Sequence, residues 1–254
     1  QEVHLLFDAG CEGCVWEDGV PRQGLTGHDA GAGSYGRPEY ILTRSANGGE
    51  HRILFIELAC NSLFGSLNGR QARIRQAEIA VHDRRAWDLL LDFEIVAGMA
   101  LHLPPEAPRA GQALMVANQI INQVDLEDPG TWSAARELAA TVLRQRNGDG
   151  QHRLSAIGHA HIDTAWLWPL AETFRKCYRT FSTALRYMED YPEYKFVCSQ
   201  ACQWEFMKEQ QPVIYEQMLA RAREGRFVPA GGTWVEPDCN VPSGESLVRQ
   251  FLVE

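Results

Sequence analysis

Apolar and polar positions follow three successive rhythms along the chain. Between residues 3 and 58, short apolar stretches at 3–7, 14–17, 39–43 and 52–58 are separated by turns rich in Gly, Pro and Asp, a pattern of strands. The glycine-rich stretch from Gly27 to Gly36 reads as a flexible loop rather than a phosphate-binding one, because no strand feeds it into a helix. From 84 to 101 the period becomes helical, with Trp87, Leu90, Leu91, Phe93, Ile95 and Val96 apolar. Pro104, Pro105 and Pro108 then break the chain, and helices are predicted at 113–124 and about 131–146, the second with Trp132, Leu138, Val142 and Leu143 near one face. Asn147-Gly148-Asp149-Gly150 closes that stretch. Beyond it the pattern alternates: strands at 153–162, 195–199 and 226–235, helices at 171–190 and 201–224, the second capped by Gly225. Alternation of this kind predicts a parallel sheet with crossover helices.

Three segments follow: a β-rich domain over 1–103 ending in a helix, a helical linker over 104–150, and an α/β region over 151–254. A last helix is expected from Ser243-Gly244-Glu245, with Leu247, Val248, Phe251 and Leu252 apolar and no stop signal before Glu254. With Gln1 opening directly on an apolar pattern, the expectation is a portion of a larger protein.

Composition narrows the class. At 254 residues, 45% apolar and 22% charged, the chain is globular in type. A net charge of −9 without any long Lys/Arg cluster argues against a nucleic acid or an anionic membrane as partner. No apolar run approaches the roughly 18 residues of a membrane span, and no secretory pattern opens the sequence. Seven cysteines, an odd number scattered through apolar segments, fit reduced thiols in a cytoplasm. Cys11-Glu12-Gly13-Cys14 has ligand spacing but no second pair, and is expected to be an unligated surface turn.

The chemistry concentrates in Gly158-His159-Ala160-His161-Ile162-Asp163-Thr164-Ala165-Trp166-Leu167-Trp168-Pro169. On a strand, His159, His161 and Asp163 would share one face near the carboxyl end, where α/β folds place their sites. Imidazole and carboxylate are ligands for a divalent ion such as zinc. Taken alone, the pattern fits either part of a metal site or a capped His and a helix-capping Asp in a packed turn.

The surrounding text resembles the start of the catalytic domain of glycoside hydrolase family 38 α-mannosidases, nearest to their cytosolic and vacuolar branch. The resemblance is carried by Gly158 to Pro169, Glu172-Thr173-Phe174-Arg175-Lys176-Cys177, Gly231-Gly232-Thr233-Trp234-Val235-Glu236-Pro237-Asp238-Cys239-Asn240 and Pro242-Ser243-Gly244-Glu245-Ser246-Leu247-Val248-Arg249-Gln250-Phe251. Asp8 to Gly13 and Glu57-Leu58-Ala59-Cys60-Asn61 resemble the ancillary β-domain of the same branch. The resemblance implies a (β/α) barrel begun by parallel βαβαβα, preceded by a β-sandwich-like domain and the helical linker. It implies a retaining hydrolase that removes terminal non-reducing α-D-mannose from oligosaccharides, zinc-dependent or using another divalent ion such as cobalt, and a homo-oligomer in the full enzyme. His161 and Asp163 match two metal ligands, and Trp166 the aromatic platform under the sugar. The nucleophile, the acid/base Asp and the other His ligand belong to later motifs beyond Glu254, so this chain alone is expected to be inactive.

Glu236 and Asp238, at a strand end, could meet substrate or support the site, Asp238 being the choice for substrate contact; the plainer reading is that they hold a turn or cap a helix. His159 reads as a supporting or packing residue. Trp16, able in principle to stack on a sugar, reads as core, as do Trp168, Trp204 and Trp234. Two other functions compete: a metal-dependent amidohydrolase, in which His159 and His161 would be the ligands, and a non-catalytic carbohydrate-binding or assembly module.

Overall fold

The computed structural model describes residues 1–28, 36–60, 73–146 and 153–251. Residues 29–35 of the predicted glycine-rich loop, Asn61 of the ancillary-domain motif, the Asn147–Gly150 boundary and Leu252 lie outside the described residues. Two compact units emerge, one of residues 1–2 and 81–154, the other of residues 3–80 and 155–254.

The larger unit opens with β1 (Val3–Asp8), β2 (Glu12–Glu17), β3 (Val20–Thr26), β4 (Glu39–Thr43), β5 (Phe55–Ala59) and β6 (Gln76–Val81). They form two three-stranded sheets, ordered β4-β1-β6 and β3-β2-β5. β1 pairs antiparallel with β4, and β2 antiparallel with both β3 and β5. Val15, Leu25 and Tyr40 are buried with Leu5, Phe7, Leu42, Leu54 and Ile56 around them, so apolar side chains of both sheets meet in one core. The β2–β3 hairpin turns through Asp18 and Gly19, both at positive φ (53° and 74°), as a tight two-residue hairpin loop requires. Cys11 and Cys14 are buried, not on a surface turn. Cys14 lies on β2, where burial of small apolar residues decides its place. Trp16 is half-buried at the margin of the core, edge-on to Tyr178.

The other unit holds α1 (Arg84–His102), α2 (Pro108–Gln123) and α3 (Gly130–Leu143). Leu89 and Val96 of α1 pack with Ala113, Val116, Ala117 and Ile120 of α2 and with Ala135, Ala139 and Val142 of α3. Helix α1, read from sequence as the end of the β-rich segment, therefore shares its core with the two helices after it. Pro108 does not break α2 but starts it, where its missing N–H costs nothing.

The chain then returns to the larger unit through β7 (Gly158–His159), α4 (Leu170–Asp190), β8 (Phe196–Cys198), α5 (Ala201–Gln210), α6 (Pro212–Arg223), β9 (Phe227–Pro229) and α7 (Gly244–Arg249). The sheet is parallel, in the order β7-β8-β9, as alternation predicted. Its strands are much shorter than the apolar runs that foretold them. The single helix expected over 201–224 is two, because Gln211 precedes Pro212 and takes a non-helical φ/ψ of −140°/63°. Helix α4 is the centre of the packing: Cys177, Phe181, Leu185 and Met188 are buried against Phe196, Met207, Ile214, Met218 and Phe227. Ser243 caps α7 by accepting from the Ser246 N–H, the predicted start. Among the described residues no helix is long and apolar enough to cross a membrane.

Candidate active site

All three parallel strands end on the same side of the sheet, and the loops beyond those ends carry the polar groups. Strand β7 stops at His159, so His161 and Asp163 lie in the following turn rather than on the strand face expected for them. That turn is held from two sides. The Ile162 carbonyl accepts from Gln200 Nε2 (2.8 Å) and Gln203 Nε2 (3.0 Å), both buried near the start of α5. The Thr173 hydroxyl, in the first turn of α4, accepts from Ala165 N (3.0 Å) and Trp168 Nε1 (3.0 Å) and donates to the Asp163 carbonyl (3.1 Å). One fully buried hydroxyl thus fills its whole bonding capacity on this loop. Ala165 takes φ 67°, a left-handed conformation that costs a non-glycine residue of order 1 kcal/mol and that these bonds impose.

The result brings His161 Nε2 within 3.1 Å of Asp163 Oδ1. On the other side of the ring, His161 Nδ1 lies 2.6 Å from Glu236 Oε2. Glu236 also accepts a hydrogen bond from Ser199 Oγ, one residue past β8, and Ser199 Oγ lies 3.3 Å from His159 Nε2. Partial burial disfavours a charged His161 ring, but its hydrogen bonds and charge pairing with Asp163 and Glu236 outweigh that and raise its pKa above the ordinary value. The hydrogen bond from Ser199, with a further one from His161, holds the Glu236 carboxyl below its ordinary range despite partial burial.

Trp166 projects from the same loop, 54% exposed, with its ring edge-on to buried Trp168 at 5.4 Å. Asp238 is exposed and accepts from the Asn240 N–H at 2.9 Å, which closes a local turn. Trp168 is buried as expected, while Trp204 and Trp234 are half-buried. Sequence reasoning missed Ser199, Gln200 and Thr173. Ser199 and Gln200 carry a positional signal, since they directly follow a strand of the parallel sheet; Thr173 carries none beyond its place in the first turn of α4.

Residues 151–253 match the family described as "Glycosyl hydrolases family 38 N-terminal domain", and residues 1–86 match "Alpha-mannosidase, jelly roll domain". Residues 151–253 belong to glycosyl hydrolase family 38. A human protein named alpha-mannosidase 2C1 is 44% identical over 263 residues, covering 99% of this chain and 25% of the relative. Alpha-mannosidase G of Dictyostelium discoideum is 40% identical over 98% of the chain and 24% of its own length. An alpha-mannosidase of Saccharomyces cerevisiae is 36% identical over 85% of the chain and 22% of its own length. The chain spans about a quarter of the length of the curated relatives it matches. Family 38 membership leaves the amidohydrolase reading without support, and His159 faces Ser199 instead of sharing partners with His161.

The donor set of the loop suits a divalent ion. An imidazole nitrogen and a carboxylate oxygen are ordinary zinc ligands, and two atoms bound at about 2.0–2.1 Å on a tetrahedral ion stand about 3.3 Å apart. The 3.1 Å between His161 Nε2 and Asp163 Oδ1 is close to that separation.

Proposed function

We propose that this chain is the N-terminal portion of a metal-dependent, retaining α-mannosidase that removes terminal non-reducing α-D-mannose from oligosaccharides in the cytoplasm. The observation that carries the reading is the pairing of His161 Nε2 with Asp163 Oδ1 beside an exposed tryptophan, in the segment that matches family 38. His161 and Asp163 are the two protein ligands this chain contributes. Zinc, or cobalt in its place, supplies when bound a Lewis-acidic anchor for vicinal sugar hydroxyls. Trp166 offers an apolar, electron-rich face on which the C–H side of a pyranose stacks, and its edge-on contact with Trp168 fixes the angle of that platform. Asp238, two residues past Glu236, is the further carboxylate available to substrate hydroxyls.

Hydrolysis with retention takes a nucleophilic carboxylate and an acid/base carboxyl group about 5–5.5 Å apart. The resemblance puts both outside this chain, so the residues here bind and orient but do not react. The three-stranded parallel sheet is then the beginning of a larger (β/α) barrel, and the complete protein is a homo-oligomer. The β-rich segment before α1 then serves as the ancillary domain, the three helices α1–α3 as the linker, and residues 151–254 as the partial catalytic domain.

The test is an assay of the complete parent enzyme on an aryl α-mannoside with the β-anomer as control, before and after chelation, following the anomeric form of the released sugar by NMR. Turnover of the α-anomer that falls on chelation, with α-mannose released first, is expected. Preference for the β-anomer, inversion, or indifference to chelation overturns the corresponding part of the reading. The 254-residue chain alone should give no turnover.

A further inference from the structure

We propose that Glu236 is a positioning residue for the metal ligand His161, acting as the terminus of a directed hydrogen-bond chain that includes Ser199 and His159. This rests on the metal-site reading above. A neutral imidazole has one N–H and one lone pair, and only the lone-pair nitrogen can bind a metal. His161 meets a carboxylate at each nitrogen, so which one carries the proton decides whether the ring can serve as a ligand. Glu236 Oε2 is 2.6 Å from Nδ1, whereas Asp163 Oδ1 is 3.1 Å from Nε2. With the proton on Nδ1 and directed to Glu236, the Nε2 lone pair is left facing the Asp163 carboxylate, and an ion between them satisfies both. The other tautomer would aim a lone pair at the Glu236 carboxylate at 2.6 Å, a repulsive contact.

Ser199 sharpens the assignment. Its single hydroxyl proton goes to Glu236 Oε1, so toward His159 it can only accept, and His159 Nε2 must be the donor. Every proton in the chain therefore points toward Glu236, an arrangement in which successive bonds polarise one another. It also gives His159 a role without making it a ligand. Glu236 cannot share an ion with Asp163 through one nitrogen of His161, because the two carboxylates lie against opposite nitrogens of the same ring. The backbone is shaped for this contact. Gly231 turns with φ 77°, and a Cβ there would come within 2.7 Å of the Ser199 carbonyl, so only glycine lets the segment pass close to Ser199 before reaching Glu236.

The experiment uses the complete parent enzyme, with zinc affinity measured by chelator competition and the cobalt-substituted visible spectrum as a second readout. Glu236→Gln keeps shape and an acceptor but loses the charge; Glu236→Ala loses both. Outer-sphere partners of metal-bound histidines commonly contribute about 10–100-fold in metal affinity. Zinc Kd is expected to rise by about that range in Glu236→Ala and by less in Glu236→Gln, with a shifted cobalt spectrum in each. Ser199→Ala should weaken binding in the same direction by a smaller factor. Kd values for both Glu236 variants within about twofold of the wild type, with unchanged cobalt spectra, overturn the inference. If in that case Asp163→Ala still abolishes zinc binding, the metal site stands and only the role of Glu236 fails. A wild-type enzyme that takes up no zinc overturns both.

Discussion

Replacing Lys176 by Met removes an ammonium group from a place where water cannot take over its bonds. Lys176 is 7% exposed, between Glu12 of β2 at 3.0 Å and Glu172 at 4.0 Å, with its Nζ 4.8 Å from the centre of the Trp168 ring. Glu12 and Glu172 are themselves 3% and 8% exposed. Removing one member of a buried ion pair costs about 3–5 kcal/mol, because the partner is left charged and desolvated. Two details bear on the size. Glu12 keeps Arg179 at 3.7 Å and Glu172 keeps Arg175, which moves the cost to the lower end. Against that, Glu172 Oε1 is buried with no hydrogen bond, and Lys176 is the cation beside it. The expected loss is about 3 kcal/mol for Lys176→Met, whose methionine retains the packing on Trp168.

For a unit of this size that is roughly 6–12 °C in Tm, at about 2–4 °C per kcal/mol. Urea unfolding followed by tryptophan fluorescence measures it, with calorimetry to separate the two compact units. Combining Lys176→Met with Glu12→Gln leaves no unpaired ammonium and no unpaired Glu12 carboxylate. The double variant should therefore be more stable than the sum of the single losses predicts, by about 1–3 kcal/mol. A single variant within about 0.5 kcal/mol of wild type, or strict additivity, would show that this network contributes little.

Native thiol labelling at pH 8, read by mass spectrometry, should mark exposed Cys60 and Cys239. Buried Cys177 and Cys202 should stay unlabelled, as should Cys14 and Cys198, pushed up to about 12 by burial, and Cys11, pushed up to about 11 by burial and by Cys60 beside it. Ala165→Gly should stabilise the protein by up to about 1 kcal/mol in urea by relieving the left-handed backbone at φ 67°, and a loss would mean that the alanine methyl group packs usefully. Burial works against the Asp8 carboxylate, but hydrogen bonds from Gly10 and His28 outweigh it and hold its pKa below the ordinary value. Its contribution to stability should then be present in full above the unfolded pKa of about 4 and fade as pH falls through the folded value, so Asp8→Asn should cost stability at pH 7 and progressively less in acid.

The parallel sheet and the nearness of His161 to Asp163 were legible in the sequence, the second for the wrong reason. His161 and Asp163 do meet, yet not through strand alternation: β7 ends at His159, and Thr173 and two glutamines fold the turn that joins them. Side-chain bonds to a loop backbone leave no period to detect. Strands β3 and β6 went unread because Val20–Thr26 carries Pro21 and Gly24 and lacks alternation, and Gln76–Val81 is largely exposed. Pro108 and Pro212 are helix starts, a role that the local rule for proline permits but that overall apolar spacing hides.

Helix α4 gives the clearest case of a pattern that means two things. Its charged residues Glu172, Arg175, Lys176 and Arg179 would face water in an ordinary amphipathic helix. Here they are turned into the β-rich sheets. Lys176 reaches Glu12, Arg175 the Leu58 carbonyl, and Arg179 the carbonyls of Gly13 and Leu25, while Gly24 leaves room for Arg179 to pass. Each cation ends on an acceptor that a strand presents, so the helix is polar on that face and buried as well. Thr173 lies within the same two turns and holds the loop of His161, Asp163 and Trp166. The jelly roll and the candidate site are therefore fixed by neighbouring residues of one helix, and Lys176 touches both, through Glu12 on one side and the Trp168 ring on the other.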